Sequence, residues 1–231
     1  MGKKREIINE KRISVLTAIF LGIATLLVAW AGWIGSLHGG IQAINFTKSN
    51  NMAAEGNAAY NVSAQVYLSD LFAWNSIYSL QLDKELAIKK GNYNEAELID
   101  EKINTIMKDS CSPKLIEALK ETNSDGKITS PFEKTEFING YFEEANALLD
   151  KSQKLLEEGK QDNLRGDSYK LVTVIYSLVL FLLGLVGTTK DFQTRKFLFV
   201  FSVCVLIFGI IYMFTIPMPT GFNITNFFNA K

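Results

Sequence analysis

The sequence predicts an all-α integral membrane protein: three transmembrane helices, with an extracytoplasmic helical bundle inserted between the first and second. Three observations lead there. The apolar residues are segregated into three uncharged runs, Ile13 to Leu37, Leu171 to Thr189 and Phe197 to Ile216. The segment between the first two runs is polar and acidic. Lys and Arg crowd the two short segments that flank the runs on the other side. With 24 Lys+Arg against 24 Asp+Glu, the chain as a whole is neutral and lacks the basic footprint of a nucleic-acid binder.

The runs hold 25, 19 and 20 residues. As helices at 1.5 Å per residue they measure about 37, 28 and 30 Å, against a hydrocarbon core of about 30 Å. Each is long enough to cross. The first, after the basic start 1–12, is too long for the apolar core of a cleaved signal peptide and has no small-residue cleavage site after a short core, so it reads as an uncleaved anchor. Glu6 stands where a myristoylation signal needs Ser or Thr.

Orientation follows from the short loops. Residues 1–12 carry Lys3, Lys4, Arg5, Lys11 and Arg12, and the loop 190–196 carries Lys190, Arg195 and Lys196; with Glu6, Glu10 and Asp191 the two segments net +5. Segment 38–170 has 15 Lys+Arg and 21 Asp+Glu, a net of −6. The expected order is a cytoplasmic N-terminus (1–12), a first span (13–37), an extracytoplasmic helical domain (38–170), a second span (171–189), a cytoplasmic loop (190–196), a third span (197–216) and an extracytoplasmic tail (217–231), in the cell membrane. Trp30, Trp33 and Tyr212 fall near the outer ends of their spans, as an aromatic belt requires.

The outer segment reads as helical from about 45 to 168. Tyr60, Ala64, Tyr67, Leu71, Trp74 and Tyr78 recur at steps of 4 and 3, one stripe along a helix that Lys89-Lys90-Gly91-Asn92 closes with terminal cations and a Gly stop. Ala96, Ile99, Ile103 and Ile106 mark a second helix, and Ser112-Pro113 caps a short third. Ser130-Pro131-Phe132-Glu133 combines a capping box with Pro at the first helical position. With no Pro from there to Pro217, a helix is expected from Pro131 directly into the second span, with Gly159 and Gly166 as possible breaks. The aromatic set Tyr60, Tyr67, Leu71, Trp74 and Tyr78 is expected to form bundle core or a subunit interface, a role that amphipathic packing favours over a ligand pocket.

The first span carries a second pattern. Ala18, Gly22, Thr25, Ala29, Gly32, Ser36 and Gly39 form one face of small residues, the kind that lets helix backbones approach in lipid. It is expected to pack on the other two spans or on a second copy. Gly35 and Gly39 form a separate GxxxG, a weaker signal.

No Asp, Glu, Lys, Arg or His lies within any run, which argues against a proton relay, coupled transporter or voltage sensor. An oligomer could still line a pore with Thr17, Thr25, Ser177 and Ser202, although helix packing is the simpler use of such hydroxyls. His38 is the sole histidine, and no Walker loop, HExxH, EF-hand or nucleophile motif accompanies it. Cys111 and Cys204 belong to different compartments and cannot pair; neither sits in a metal motif. Neither cofactor nor catalytic site is expected. Three sequons, at Asn45, Asn61 and Asn223, fall on the outer side.

The stretches ATLLVAWAGWIGSLHGGIQA (24–43), SPFEKTEF (130–137) and YKLVTVIYSLVLFLLGLVG (169–187) resemble a group of uncharacterised prokaryotic integral membrane proteins. Those proteins have one span, a helical extracytoplasmic segment and two closing spans. The resemblance covers nearly the whole chain and implies architecture, not site residues. The functional expectation is a non-enzymatic membrane protein whose outer bundle binds a partner or ligand or self-assembles, in a sensor-like or scaffold role. Its partners are the bilayer and either a second copy or another membrane protein. The alternative is an oligomeric channel.

Overall fold

The computed structural model describes residues 2–122, 129–220 and 222. The described residues form six α-helices and no strand: α1 (Gly2–Lys89), α2 (Tyr93–Asp109), α3 (Pro113–Thr122), α4 (Thr135–Asn139), α5 (Glu143–Thr188) and α6 (Phe192–Thr215). Three of them, α1, α5 and α6, are long and apolar enough to cross a membrane. Only 11%, 28% and 22% of their most apolar windows is buried in the chain itself, so most of that apolar surface has no cover but lipid or another protein.

The chain divides into two units. Residues 1–48 and 154–231 form the first, and 49–153 the second. α1 and α5 contribute to both.

In the first unit α1, α5 and α6 pack around Ala24, Ala31, Ile34, Tyr169, Val172, Tyr176, Val179, Leu183, Leu206 and Met213. α1 and α5 run antiparallel, as Gly35 against Gly166 and Asn45–Phe46 against Gly159 show. A Cβ on Gly35 would stand 3.3 Å from Tyr169 Cβ and 3.5 Å from the Gly166 carbonyl, so this crossing is a close approach of backbones that only small residues allow. α6 contributes Ser202, Leu206, Gly209 and Met213 to the same core, at steps of 4, 3 and 4. The turn into α6 is capped by Asp191, which accepts from Thr194 N at 2.7 Å and Thr194 Oγ1 at 2.6 Å. Those bonds, the hydroxyl first, hold its carboxyl below the usual range, so the cap is charged at neutral pH.

In the second unit α2 and α3 close over α1 through Ala73, Trp74, Ile77, Ala87, Ala96, Ile99, Ile103, Leu115 and Leu119. α1 ends where its sequence says it should: Gly91 takes φ 79, and Asn92 N reaches back to Ala87 O at 2.9 Å. At the edge of the unit, Ser49 and Ser152 exchange hydroxyl-to-carbonyl bonds of 2.9 and 2.8 Å between α1 and α5.

Two details differ from expectation. The first span, 13–37, and the helical stretch expected from about 45 are one unbroken α1. The expected helix from Pro131 is broken instead. Pro131–Glu133 makes a single 3-10 turn, Ser130 makes no side-chain cap, Lys134 is extended, and α5 begins only at Glu143. The reason is aromatic. In a continuous helix Phe137 and Tyr141, four residues apart, would share a face, while Phe132, five before Phe137, would stand about 140° round from it. The breaks gather them into one cluster, with ring centroids 5.2 Å (Phe132–Phe137) and 5.4 Å (Phe137–Tyr141) apart. Gly159 and Gly166 leave α5 intact.

Candidate functional site

Two buried carboxylates organise the molecule, one in each unit. Asp70 stands on the inward face of α1, three residues after Tyr67 and four before Trp74, and is 1% exposed. Its Oδ1 accepts from Ser112 N at 2.7 Å. Its Oδ2 accepts from the Ser112 hydroxyl and, at 2.7 Å, from Tyr141 OH. Ser112 Oγ in turn receives Leu115 N at 3.2 Å, the cap of α3 that the sequence indicates. One carboxylate therefore ties α1 to the start of α3 and to the approach to α5. A buried carboxylate is tolerable when its lone pairs are filled, and here three donors fill them.

The neighbours register that charge. Burial, then the hydrogen bond and charge of Asp70, push the Tyr141 phenol far above its ordinary range, so it serves purely as a donor. Lys114 Nζ sits 4.7 Å above the Tyr141 ring. Cys111 is half-buried beside the node; burial first, and the Asp70 charge second, raise its thiol. Accordingly, in a Cys204→Ser background Cys111 should react with a maleimide at pH 7 well below the rate of an exposed thiol, and at the ordinary rate once the protein is denatured in urea and detergent. A native rate equal to the denatured one would contradict this placement.

The second carboxylate is Asp162 on α5, 3% exposed. It faces His38 of α1, which is fully buried although it borders an apolar run. His38 Nδ1 lies 2.8 Å from Asp162 Oδ1, and Nε2 lies 3.2 Å from the carbonyl of Pro217, just past α6. The Tyr169 ring stacks on the imidazole at 5.7 Å, and its hydroxyl donates to Ile216 O at 3.4 Å. The segment after α6 is held further by Phe222, whose ring meets Trp30 and Trp33 edge-on at 6.3 and 5.7 Å. Beside this cluster runs a polar groove of about 490 Å³ lined by Asn45, Lys154, Glu157, Gln161, Asp162 and Arg165, among others.

The sequence singled out other residues. All seven of the small-residue stripe, Ala18, Gly22, Thr25, Ala29, Gly32, Ser36 and Gly39, are exposed in the single chain. Nothing lies within 4 Å of a Cβ built on Gly22, Gly32 or Gly39. The face of α1 that meets α5 and α6 is the neighbouring one, with Thr17, Ala24, Ala31, Gly35 and His38 buried. Of the aromatic stripe, Trp74 is buried, Tyr67 and Leu71 are half-buried, and Tyr60 and Tyr78 are 46% and 41% exposed. Tyr67 meets the Tyr141 ring at 5.7 Å and Tyr60 meets Phe142 at 4.8 Å. The four membrane hydroxyls turn inward on their own helices: Thr17, Thr25, Ser177 and Ser202 donate to the carbonyls of Ile13, Leu21, Thr173 and Leu198. Asn61 is exposed, Asn45 lines the polar groove, and Asn223 lies outside the described residues. No group of His, Cys, Asp and Glu able to hold a metal ion occurs among the described residues.

No family model, curated protein or solved structure matches the chain. Its chemistry is therefore read from its own residues. The signal that would have found both carboxylates is a charged residue in register with an apolar face. Asp70 sits within the aromatic stripe, and Asp162 falls between Gly159 and Gly166, on the face that continues through Tyr169 and Tyr176, all buried.

Proposed function

We propose that this chain is a non-enzymatic multi-pass membrane protein that works by binding another protein through the second unit. In this reading residues 38–170 lie outside the cytoplasm, as the distribution of Lys and Arg indicates. The observation that carries the proposal is an uncovered face of α1. Leu68, Phe72, Leu82 and Leu86 are 47%, 67%, 47% and 50% exposed. Together with the exposed Asn75 and Ser79 between them, they recur at steps of 4, 3, 4, 3 and 4, the spacing of a helix seam that packs on another helix. The opposite side of α1 is already occupied by α2 and α3. A row of large apolar side chains left open on a polar unit is the signature of a protein interface. The buried polar groups favour the same reading: the Asp70 and Ser49–Ser152 contacts join helices, and their donors and acceptors are used on one another.

The partner is a second copy or a different membrane protein, and the stretch outside the membrane is the contact. Phe72→Glu with Leu82→Glu should weaken that association by tenfold or more, since each large side chain buried is worth about 1.5–3 kcal/mol. Folding should survive, because both side chains point away from the core. Light scattering of the purified protein in detergent and tagged recovery from native membranes, with and without the two changes, provide the test. A self-assembly loses mass in the first measurement; a mixed complex loses a co-purifying protein in the second. If the double variant keeps both its mass and its companions, the seam is not the interface. Flux of ions through liposomes of pure protein would instead support the channel reading.

A further inference from the structure

Both nitrogens of His38 face acceptors. Asp162 Oδ1 is 2.8 Å from Nδ1 and Pro217 O is 3.2 Å from Nε2. A peptide carbonyl only accepts, and so does an ionised carboxylate. A neutral imidazole has one N–H, so it satisfies one contact and turns a lone pair on the other. Both bonds exist together only when the pair holds one additional proton. That proton belongs on the imidazole, because a carboxylic acid gives up its proton well before an imidazolium does. The ring is fully buried, so water does not stand in for a missing partner.

The surroundings are few. From α5 come Asp162, Arg165, whose Nη1 is 3.7 Å from the same Asp162 oxygen, and the Tyr169 ring. α1 carries no charged side chain between Arg12 and Lys48 apart from His38. Among the described residues, the segment after α6 brings backbone carbonyls and the uncharged side chains of Pro217, Met218, Pro219, Thr220 and Phe222.

We propose that His38 is a proton-binding site that clasps the segment following α6 to α1 and α5. When the imidazolium loses a proton, the remaining N–H stays on Nδ1, because a bond to a charged carboxylate is roughly twice as strong as one to a neutral carbonyl. Nε2 then presents a lone pair to the Pro217 carbonyl, and the two repel. The histidine–aspartate pair persists and the segment is what lets go. The segment is also held by a long Tyr169–Ile216 bond, the contact of Tyr169 OH with Met218 Sδ at 3.6 Å, the burial of Pro219 and the packing of Phe222 on Trp30 and Trp33, none of which carries a charge. The clasped form holds the proton and the released form does not, so the segment is held while the imidazole is protonated and freed when it is not.

The chain has one histidine, so its ring can be observed without ambiguity. Full-length protein labelled with ¹⁵N-histidine, in detergent or nanodiscs, should show both ring nitrogens protonated at pH 5. At pH 8 it should show the proton on Nδ1 alone. In a Trp74→Phe background, the emission of Trp30 and Trp33 should shift along the same titration curve, and Phe222→Ala should abolish most of that shift. A ring that is neutral at pH 5, or one that keeps its proton on Nε2 at pH 8, would overturn the proposal. So would a tryptophan signal that ignores the titration or follows it undiminished in Phe222→Ala, since the change would then be the imidazole's own effect and not release of the segment.

Discussion

Asp70→Ala should destabilise the second unit by several kcal/mol, since each buried donor left without an acceptor costs about 1–3 kcal/mol. The size comes from what is left behind. Ser112 N, the Ser112 hydroxyl and Tyr141 OH all lose their acceptor at once, in a space that is closed to water. The small methyl also leaves room beside the Tyr141 hydroxyl, whose ring is held against Tyr67. Asp70→Asn is the informative companion. The amide keeps one acceptor oxygen but turns an N–H₂ toward at least one donor, so it should cost less than alanine and more than Tyr141→Phe, which deletes one donor only. The Trp30→Phe, Trp33→Phe background leaves Trp74 as the sole tryptophan, buried in this unit. Its emission during urea unfolding reads the loss directly. Equal stability for Asp70→Ala and the parent would mean that the node carries no weight.

The second large effect belongs to the first unit. Gly209→Leu should break the packing of α6 on α5, while Gly22→Leu should leave the single chain unchanged. A Cβ on Gly209 would sit 2.7 Å from Tyr176 Cε1 and 3.1 Å from Ile175 Cγ2. Tyr176 is fully buried, so its ring has nowhere to turn. Overpacking a core typically costs about 1–3 kcal/mol, and a leucine adds three carbons beyond the one that already clashes. The expected result is a lower melting temperature in detergent or aggregation on extraction. At Gly22 a new Cβ meets nothing within 4 Å, and the residue is exposed. Any effect of Gly22→Leu, or of Ala29→Leu, should therefore appear in oligomer size and not in melting. The contrast separates packing inside the chain from packing between chains.

That contrast also shows what was legible in the sequence. Three helices long and apolar enough to cross a membrane could be read from their charge-free runs, and helix ends could be read where backbone geometry leaves one choice, as at Gly91. The small-residue stripe had no such uniqueness. Periodicity says that a face exists but not which neighbour it meets, and in α1 the packed face is the adjacent one, through Gly35 and His38. The shorter GxxxG was the better guide to the α1–α5 contact, since Gly35 lies against Gly166 there. The break at Lys134 was hidden because a good cap and a Pro favour a helix locally, while the gain in gathering Phe132, Phe137 and Tyr141 around Asp70 is tertiary. Both buried carboxylates were written in the chain as charges in register with apolar faces. The sequence alone does not single them out, because their partners lie 42 to 124 residues away.

The placement of residues 38–170 outside the cytoplasm underlies the proposed function, and labelling in whole cells tests it most directly. In a background with Cys111 and Cys204 replaced by Ser, single cysteines are placed at Glu101 and at Gln193, both exposed. Glu101→Cys should react with a membrane-impermeant maleimide in intact cells, and Gln193→Cys only after the cells are opened. Protection of Glu101→Cys together with labelling of Gln193→Cys in intact cells would reverse the topology and remove the basis for an extracytoplasmic partner.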